Sequence, residues 1–443
     1  LNGIRLLAAA AFVFFLALAT GLHPLYFLAY VLALVTLGSL VWARLNLRGV
    51  TISRAAHHYT LQMGQVYEES LTLHNDSKFP KIWVEARDRS NLPGHRTSCV
   101  VSLGSQQKKT WRVRTVCRQR GVYRLGPVVL VTGDPFGLFR FLRRQTEERE
   151  LLVYPPILDL AAFGLPASEL TGSSNRRSRS FNITPLAAGL RQYVAGDPYN
   201  RIHWAATARQ QQLMVKEFEI DPTTDIWIVL DMQGAAQAGN PNLLPQVPRP
   251  DKAGRYSDEA RRSIDFAGDS TGQPIYLPPS TEEYGVALAS SLAARLIAEG
   301  RNVGMISWGQ HHEVLSSDRG ARQLQRILRS LAVLRAQGTT PLNEVLTAES
   351  NRFGRNSTLI VITANGDEQW VKTLAGISGR GIRSAVVQIE RSTFNVQGEH
   401  HQDNSMFVVA ALAAANIPSY LVKRGTPINL SLAQGLGGVK VIR

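Results

Sequence analysis

Ten histidines, two cysteines and 34 acidic residues supply ample material for catalysis or metal binding, but their spacing assembles little of it. No Gly-Lys dipeptide occurs, which excludes the GxxxxGK phosphate loop. His311-His312-Glu313 and His400-His401 are short pairs without helical i, i+4 spacing or a third ligand, and read as polar loop histidines. Cys99 and Cys117 have no catalytic His pattern beside them. Arg176, Arg177 and Arg179 could touch phosphate, yet without interleaved aromatics they read as a solvated linker. Arg319, Arg322, Arg326 and Arg329 share one face of a predicted helix from Gly320 to Arg335, opposite Leu324, Ile327, Leu328, Leu331 and Leu334. That face is either a solvated side or a docking stripe for an acidic partner. The densest group is Gly196-Asp197, Arg201, Ile202-His203-Trp204, Ala208-Arg209 and Lys216-Glu217. Gly196-Asp197-Pro198 is a turn, and Asp197 is placed to cap a short helix in which Ile202 and Ala205 or Ala206 face inward, with Trp204 nearby. Arg201 and Arg209 have Asp197, Glu217 and Glu219 within reach as partners. The group is either a packed junction or a docking surface.

The elements that must position these residues begin with two uncharged runs, 6–22 and 25–43, joined by His23-Pro24. Each approaches the ~20 residues that cross ~30 Å of hydrocarbon as helix. A signal peptide has one shorter run and a cleavage site, so a transmembrane hairpin over 1–47 fits better. Arg5 precedes the first run, Arg44, Arg48 and Arg54 follow the second, and the turn carries no Lys or Arg. The positive-inside rule then puts both ends, and the remainder of the chain, on the cytoplasmic side of the inner membrane. Both cysteines are expected there as reduced thiols.

Residues 48–160 alternate with period two, as in Glu69–His74, Lys81–Glu85 and Trp111–Val116, with turns at Asn75-Asp76-Ser77, Leu92-Pro93-Gly94 and Gly133-Asp134-Pro135. This predicts an antiparallel β-sandwich. Residues 161–222 read as a linker carrying the Gly196–Glu217 group. From 223 to 443, strands alternate with helices: strands at 226–230, 302–307, 357–363, 384–389 and 418–422, helices at 282–299, 320–335, 368–376 and 407–415. That order predicts an α/β domain with a doubly wound, mostly parallel sheet. Its ligand rim would carry Asp231, Trp308 and Thr363-Ala364. Residues 233–280, rich in Gly, Pro and Asp, read as a surface insertion.

Two stretches, 121–139 (GVYRLGPVVLVTGDPFGLF) and 191–219 (RQYVAGDPYNRIHWAATARQQQLMVKEFE), resemble the bacterial family known as domain of unknown function 58. The resemblance runs from the hairpin to the C-terminal end, and its most specific part is the Gly196–Glu217 series. Family members often have an acid where His203 stands. The resemblance implies a membrane hairpin, a β-sandwich and a C-terminal domain similar to the von Willebrand factor type A fold. It also implies frequent encoding beside MoxR-type AAA+ ATPases, and no established enzyme activity.

Type A domains often hold Mg²⁺ through Asp-x-Ser-x-Ser, a Thr from a second loop and an Asp from a third. Here the first loop reads Asp231-Met232-Gln233-Gly234-Ala235, Thr340 stands in the second loop, and Ala364 stands where the third-loop Asp would be. Two hydroxyls and one carboxylate are lost, so no tightly bound metal and no other cofactor is expected. The expected function is that of a non-catalytic, membrane-anchored scaffold offering Gly196, Asp197, Arg201, Trp204, Arg209, Lys216 and Glu217 to a MoxR-type AAA+ ATPase in envelope protein maturation. The alternatives are a metal-dependent adhesion module and a hydrolase with an unrecognised site. Nucleic acid is not an expected partner. Residues 1–50 hold three basic and no acidic residues and 51–160 hold 17 and 10, out of a net +15 for all 443 residues. Charge so concentrated beside the hairpin points to the anionic leaflet.

Overall fold

A computed structural model describes residues 2–145, 147–158, 160, 187–193, 202–218, 225–243, 266–268, 274–354, 357–394 and 404–424. The chain divides into two compact units, one of Leu1–Asp159, Gly239–Ser291 and Arg326–Arg335, the other of Leu160–Ala238, Leu292–Gln325 and Ala336–Arg443.

The first unit opens with helices α1 (Asn2–Thr20) and α2 (His23–Leu47), both long and apolar enough to cross a membrane. Gly21 turns the chain between them at φ +66°, a conformation that favours glycine. The buried residues Ala10 and Ala17 of α1, and Ala29, Thr36 and Ala43 of α2, recur every seven residues. Small side chains at that period let two helices approach closely, and Thr36 returns its hydroxyl to Leu32 O at 2.7 Å. Large apolar side chains such as Phe12, Phe15, Phe27 and Leu34 point outward, as suits a membrane hairpin.

Ten strands follow: β1 (Val50–Ala56), β2 (Thr60–Gln62), β3 (Val66–Asn75), β4 (Lys81–Asp88), β5 (Cys99–Leu103), β6 (Lys108–Val116), β7 (Gly121–Leu125), β8 (Val128–Gly133), β9 (Arg140–Gln145) and β10 (Arg149–Tyr154). They form sheets β1-β3-β6, β2-β10-β7 and β5-β4-β8-β9. All pairs are antiparallel except β2 with β10. One core joins Val50, Ile52, Leu71 and Leu73 to Val84, Val101, Leu103 and Leu130, so two sheets pack face to face. The end of α2 is tied to this body. Lys81 donates to Leu45 O at 2.6 Å, and Asn46 donates to Thr132 Oγ1 at 2.5 Å and to Trp83 O at 3.2 Å.

In the second unit, β11 (Ala187–Gln192) pairs antiparallel with β12 (Met214–Phe218) around the short helix α3 (Trp204–Gln210). The main sheet begins at β13 (Ile226–Leu230); a small pair, β14 (Phe266–Gly268) and β15 (Pro274–Tyr276), follows in the first unit. Helix α4 (Thr281–Ala298), which counts with the first unit up to Ser291, then leads to β16 (Val303–Trp308), β17 (His312–Asp318), helices α5 (Ala321–Val333), which counts with the first unit from Arg326, and α6 (Leu342–Glu349), β18 (Thr358–Thr363), α7 (Gln369–Ser378), β19 (Arg383–Ile389), α8 (Ser405–Ala414) and β20 (Ser419–Val422). The sheet order is β17-β16-β13-β18-β19-β20, parallel except for the edge strand β17. Every residue of β13 and β18 is buried, which is why both read as unbroken apolar runs. Trp227, Val361 and Val386 pack under Leu346, Trp370, Leu374 and Leu412.

Several elements went unforeseen: β11 and β12 fall in the expected linker, β14 and β15 in the expected insertion, and β17 and α6 in the α/β domain. His312 is not a loop residue but opens β17, and its Nε2 meets Glu349 Oε1 at 2.8 Å. The eight-residue helix α6 begins at the end of the loop carrying Thr340, in a stretch to which no element had been assigned. Residues 233–243 are partly ordered by a 3₁₀ turn at Gly234–Ala236; most of the remaining expected insertion lies outside the described residues.

Candidate functional site

Gly196, Asp197 and Arg201 lie outside the described residues. The rest of the group is carried by β11, α3 and β12, where Leu190 pairs with Lys216 and Gly189 with Glu217. The cap expected from Asp197 therefore falls outside the described residues. His203 is the N-cap: its Nδ1 accepts from Ala206 N at 3.0 Å, the bond a carboxylate accepts at such a position. His203 N donates to Met214 O at 2.8 Å, Thr207 Oγ1 accepts from Met214 N at 3.0 Å, and Ile202 bridges Val215. Ile202 and Ala206 face inward as expected, whereas Ala205 is exposed. Trp204 does not pack inside: it is 67% exposed, and Arg209 is exposed on the same short helix.

The second candidate lies at the carboxyl ends of β13 and β18, where successive connections leave β13 in opposite directions. Asp231 is 5% exposed. Its Oδ2 accepts from Thr363 Oγ1 at 2.6 Å and its Oδ1 from Gln233 N at 3.1 Å. Burial raises its pKa above the ordinary carboxylate value, against those two bonds and the charge of Arg391. Gly338 N donates to Met232 O, and Gly338 O accepts from Gly234 N, so the loop leading to Thr340 is stitched to the loop after Asp231. Sequence reasoning named Thr363 only as a rim residue; it is the partner of Asp231.

This donor set suits a hard dication poorly. Both Asp231 oxygens already serve protein donors, Gln233 offers that carboxylate its backbone N–H, and the buried Ala364 brings no oxygen. Beside it, a cavity of about 690 Å³ is lined by Asn365, Asp367, Lys372, Arg391 and Asn404. Asp367 points no ligand at Asp231; its Oδ1 accepts from Gln369 N at 3.1 Å, at the start of α7. Lys372 and Arg391 were not singled out in the sequence, and nothing but their nearness to strand ends could have marked them.

Sequence reasoning also missed a buried ion network in the first unit. Arg54 Nη2 lies 2.8 Å from Asp88 Oδ2, and its Nε lies 3.1 Å from Glu69 Oε2. His95 Nε2 lies 3.0 Å from Glu69 Oε1, and Tyr67 donates to Glu69 Oε2 at 2.8 Å. Glu69, Asp88 and His95 are spaced closely enough to hold a metal ion, but the Arg54 guanidinium already stands between the two carboxylates. The legible signal was Glu69, which falls in the inward register of Tyr67, Leu71 and Leu73. A second network surrounds Arg120, which is bonded by Glu282 and Glu283 and donates to Leu331 O and Leu334 O.

Gly268-Asp269-Ser270-Thr271-Gly272 matches the Gly-x-Ser-x-Gly pattern of hydrolases. It joins two antiparallel strands, β14 and β15, rather than a strand to a helix, so it lacks the setting of a nucleophile elbow. Residues 269–273 themselves lie outside the described residues.

Residues 189–243 match the family model described as protein of unknown function DUF58. The chain is 21% identical over 384 residues to the uncharacterized protein YeaD of Bacillus subtilis (strain 168), covering 85% of each. Among solved structures, the CARDB domain of the PF1109 protein of Pyrococcus furiosus is similar at a TM-score of 0.19 and 14% identity, over 24% of this chain and 91% of that one. A PapD-like domain of human CEP192 is similar at 0.17 and 13%, over 24% and 84%. The chain is thus similar to DUF58 proteins, by a family-model match over 189–243 and by a likeness to YeaD that extends along most of the chain.

Proposed function

We propose that the chain is a membrane-anchored, non-catalytic scaffold that offers its α/β unit and the segment around α3 to a cytosolic protein, a MoxR-type AAA+ ATPase. The observation that carries this reading is Trp204, an indole 67% exposed within the segment matched by the family. Exposed tryptophans and arginines are the residues that most often anchor protein interfaces. The parallel sheet and the strand-end Asp231 support a type A-like reading of the α/β unit. The basic residues beside the hairpin support contact with an anionic leaflet, with both ends of the hairpin in the cytoplasm.

Affinity purification of the full chain from membranes tests the proposal. The ATPase is expected to enrich with the wild type and to be lost with Trp204→Ala; equal recovery with both, or none with either, sinks it. Metal-dependent adhesion is the weaker reading because Asp231 already spends both oxygens on protein donors. Calorimetry should show no saturable micromolar binding of Mg²⁺ or Mn²⁺ that Asp231→Ala abolishes.

A further inference from the structure

The stretch GDPFGLF, 133–139, is unused by the scaffold reading, yet it is tightly built. The Asp134 carboxylate accepts from Phe136 N at 2.9 Å and from Phe139 N at 2.6 Å, and Gly137 N donates back to Asp134 O at 3.1 Å. Gly137 takes φ +69°, so the turn requires a glycine there. This rigid turn stands at the open end of the hairpin: Gly3 N of α1 donates to Leu138 O at 3.2 Å. Between the turn and the last two turns of α2 lies a cavity of about 340 Å³, within the ~300–1,000 Å³ range of small-ligand sites.

The cavity's depth in a membrane follows from the sequence around it. Trp42 lines it and stands one residue before the end of the uncharged run 25–43, with Arg44 next. Tryptophan in that place marks the headgroup boundary. Beside it, Phe136 is 69% exposed at the tip of the turn and Leu142 is 73% exposed on β9, apolar groups with no protein cover. Its polar and aromatic walls also include Trp83, Asn46, Asp134 and Arg140, with Ile82 and Pro135 as apolar ones. Asn46 is committed to Trp83 O and Thr132, whereas Arg140 has no hydrogen-bond partner among the described residues, its charge acting on the Glu85 carboxylate from a distance. The cavity therefore offers one guanidinium with its N–H donors free of described partners, one carboxylate and two indoles. A purely anionic ligand would leave the carboxylate opposed, whereas a phosphate tethered to an ammonium meets both signs and the ring faces.

We propose that this cavity binds the headgroup of a zwitterionic aminophospholipid, its phosphate against Arg140 and its ammonium beside Asp134 and the indoles of Trp42 and Trp83. The inference rests on the hairpin lying in a bilayer and is independent of any ATPase.

The full chain in mild detergent is presented with equimolar lipids of identical acyl chains bearing ethanolamine, choline or glycerol phosphate headgroups, and lipid retention is read by native mass spectrometry. The ethanolamine lipid is expected to be retained about fivefold over the glycerol lipid. Arg140→Gln is expected to reduce its retention to the level of the glycerol lipid while leaving the melting curve unchanged, and Trp42→Leu, which keeps an apolar span end, to lose the preference for ethanolamine. Equal retention of all three lipids overturns the site. A preference for the glycerol lipid overturns the zwitterion assignment in favour of an anionic lipid. Unchanged ethanolamine retention in Arg140→Gln removes the phosphate contact. An unchanged lipid preference with failed ATPase recovery would sink the scaffold reading alone.

Discussion

Arg54 supplies the cation between two buried carboxylates, Glu69 and Asp88. Replacing it with Met strands both charges in the interior, and such removals cost about 3–5 kcal/mol. Arg54→Met is therefore expected to lower the urea midpoint of the full chain sharply; a change under about 1 kcal/mol would mean that the network is hydrated. The pH dependence has a definite sign at Asp88. Burial pushes its carboxyl up, but the hydroxyls of Ser90 and Thr97 and the Arg54 guanidinium together hold it below the ordinary value. A folded-state pKa below the unfolded ~3.9 gives stability that is present above pH ~4 and lost as the pH falls through the folded value. Asp88→Asn should then flatten the acid limb of the stability curve below pH ~4, and an unaltered limb would show that the carboxylate is not the titrating group. The two thiols differ for the same physical reason. Burial pushes the Cys117 thiol up to about 11, against a backbone bond involving Tyr67, whereas Cys99 is only half-buried. At pH 8 maleimide should modify Cys99 at least about tenfold faster than Cys117, since the thiolate is the nucleophile; equal rates would mean that the first unit opens faster than it reacts.

Gly338 shows what the elements demand of a single position. A Cβ there would run into Trp308 O and come within 2.9 Å of Met232 O, because the loop after α5 crosses directly over the end of β13. Gly338→Ala is expected to destabilise the α/β unit by about 2–3 kcal/mol, by a forced separation of the two loops. Hydrogen exchange at Gly234 and Gly338 would report it, and unchanged protection of both amides would count against the crossing. The sequence exposed the strands of this unit because each is buried on both faces and so carries no polar alternation. It hid β17, whose His-Glu-Val-Leu-Ser-Ser-Asp pattern belongs to an exposed edge, and α6, whose eight residues are too few to establish a helical period. The same limit applies at the site. Asp231 was legible as a strand-end acid, but its pairing with Thr363 spans 132 residues and depends on β18 lying beside β13. His203 was legible only as a departure from an acid, until the helix start made it a cap.

At the scale of the whole molecule, charge and hydropathy act together. The antiparallel hairpin brings Arg5 to the same end as Arg44 and Arg48, while residues 21–24 between the helices carry no Lys or Arg. The strands of the first unit then follow directly from α2, fastened through Lys81 and Asn46, so they cannot lie far from the membrane face on which the arginines sit. Burial lowers the pKa of Lys81, because its ammonium is withdrawn from water. In the orientation proposed above, that face is the cytoplasmic one. Cys99 is the natural reporter, because Cys117 is buried and its thiol is held at about 11. In intact cells a membrane-impermeant maleimide should leave Cys99 unmodified, and after permeabilisation it should label Cys99 while Cys117 stays slow. Moving the positive charge ought to move the result: Arg44→Gln with Arg48→Gln, combined with Gly21→Lys and Leu22→Lys, is expected to produce a labelled fraction in intact cells. Labelling of the wild type without permeabilisation would reverse the orientation. It would also leave a cytosolic ATPase with no route to Trp204, since both the reporter and α3 follow α2 with no further described helix long and apolar enough to cross the membrane.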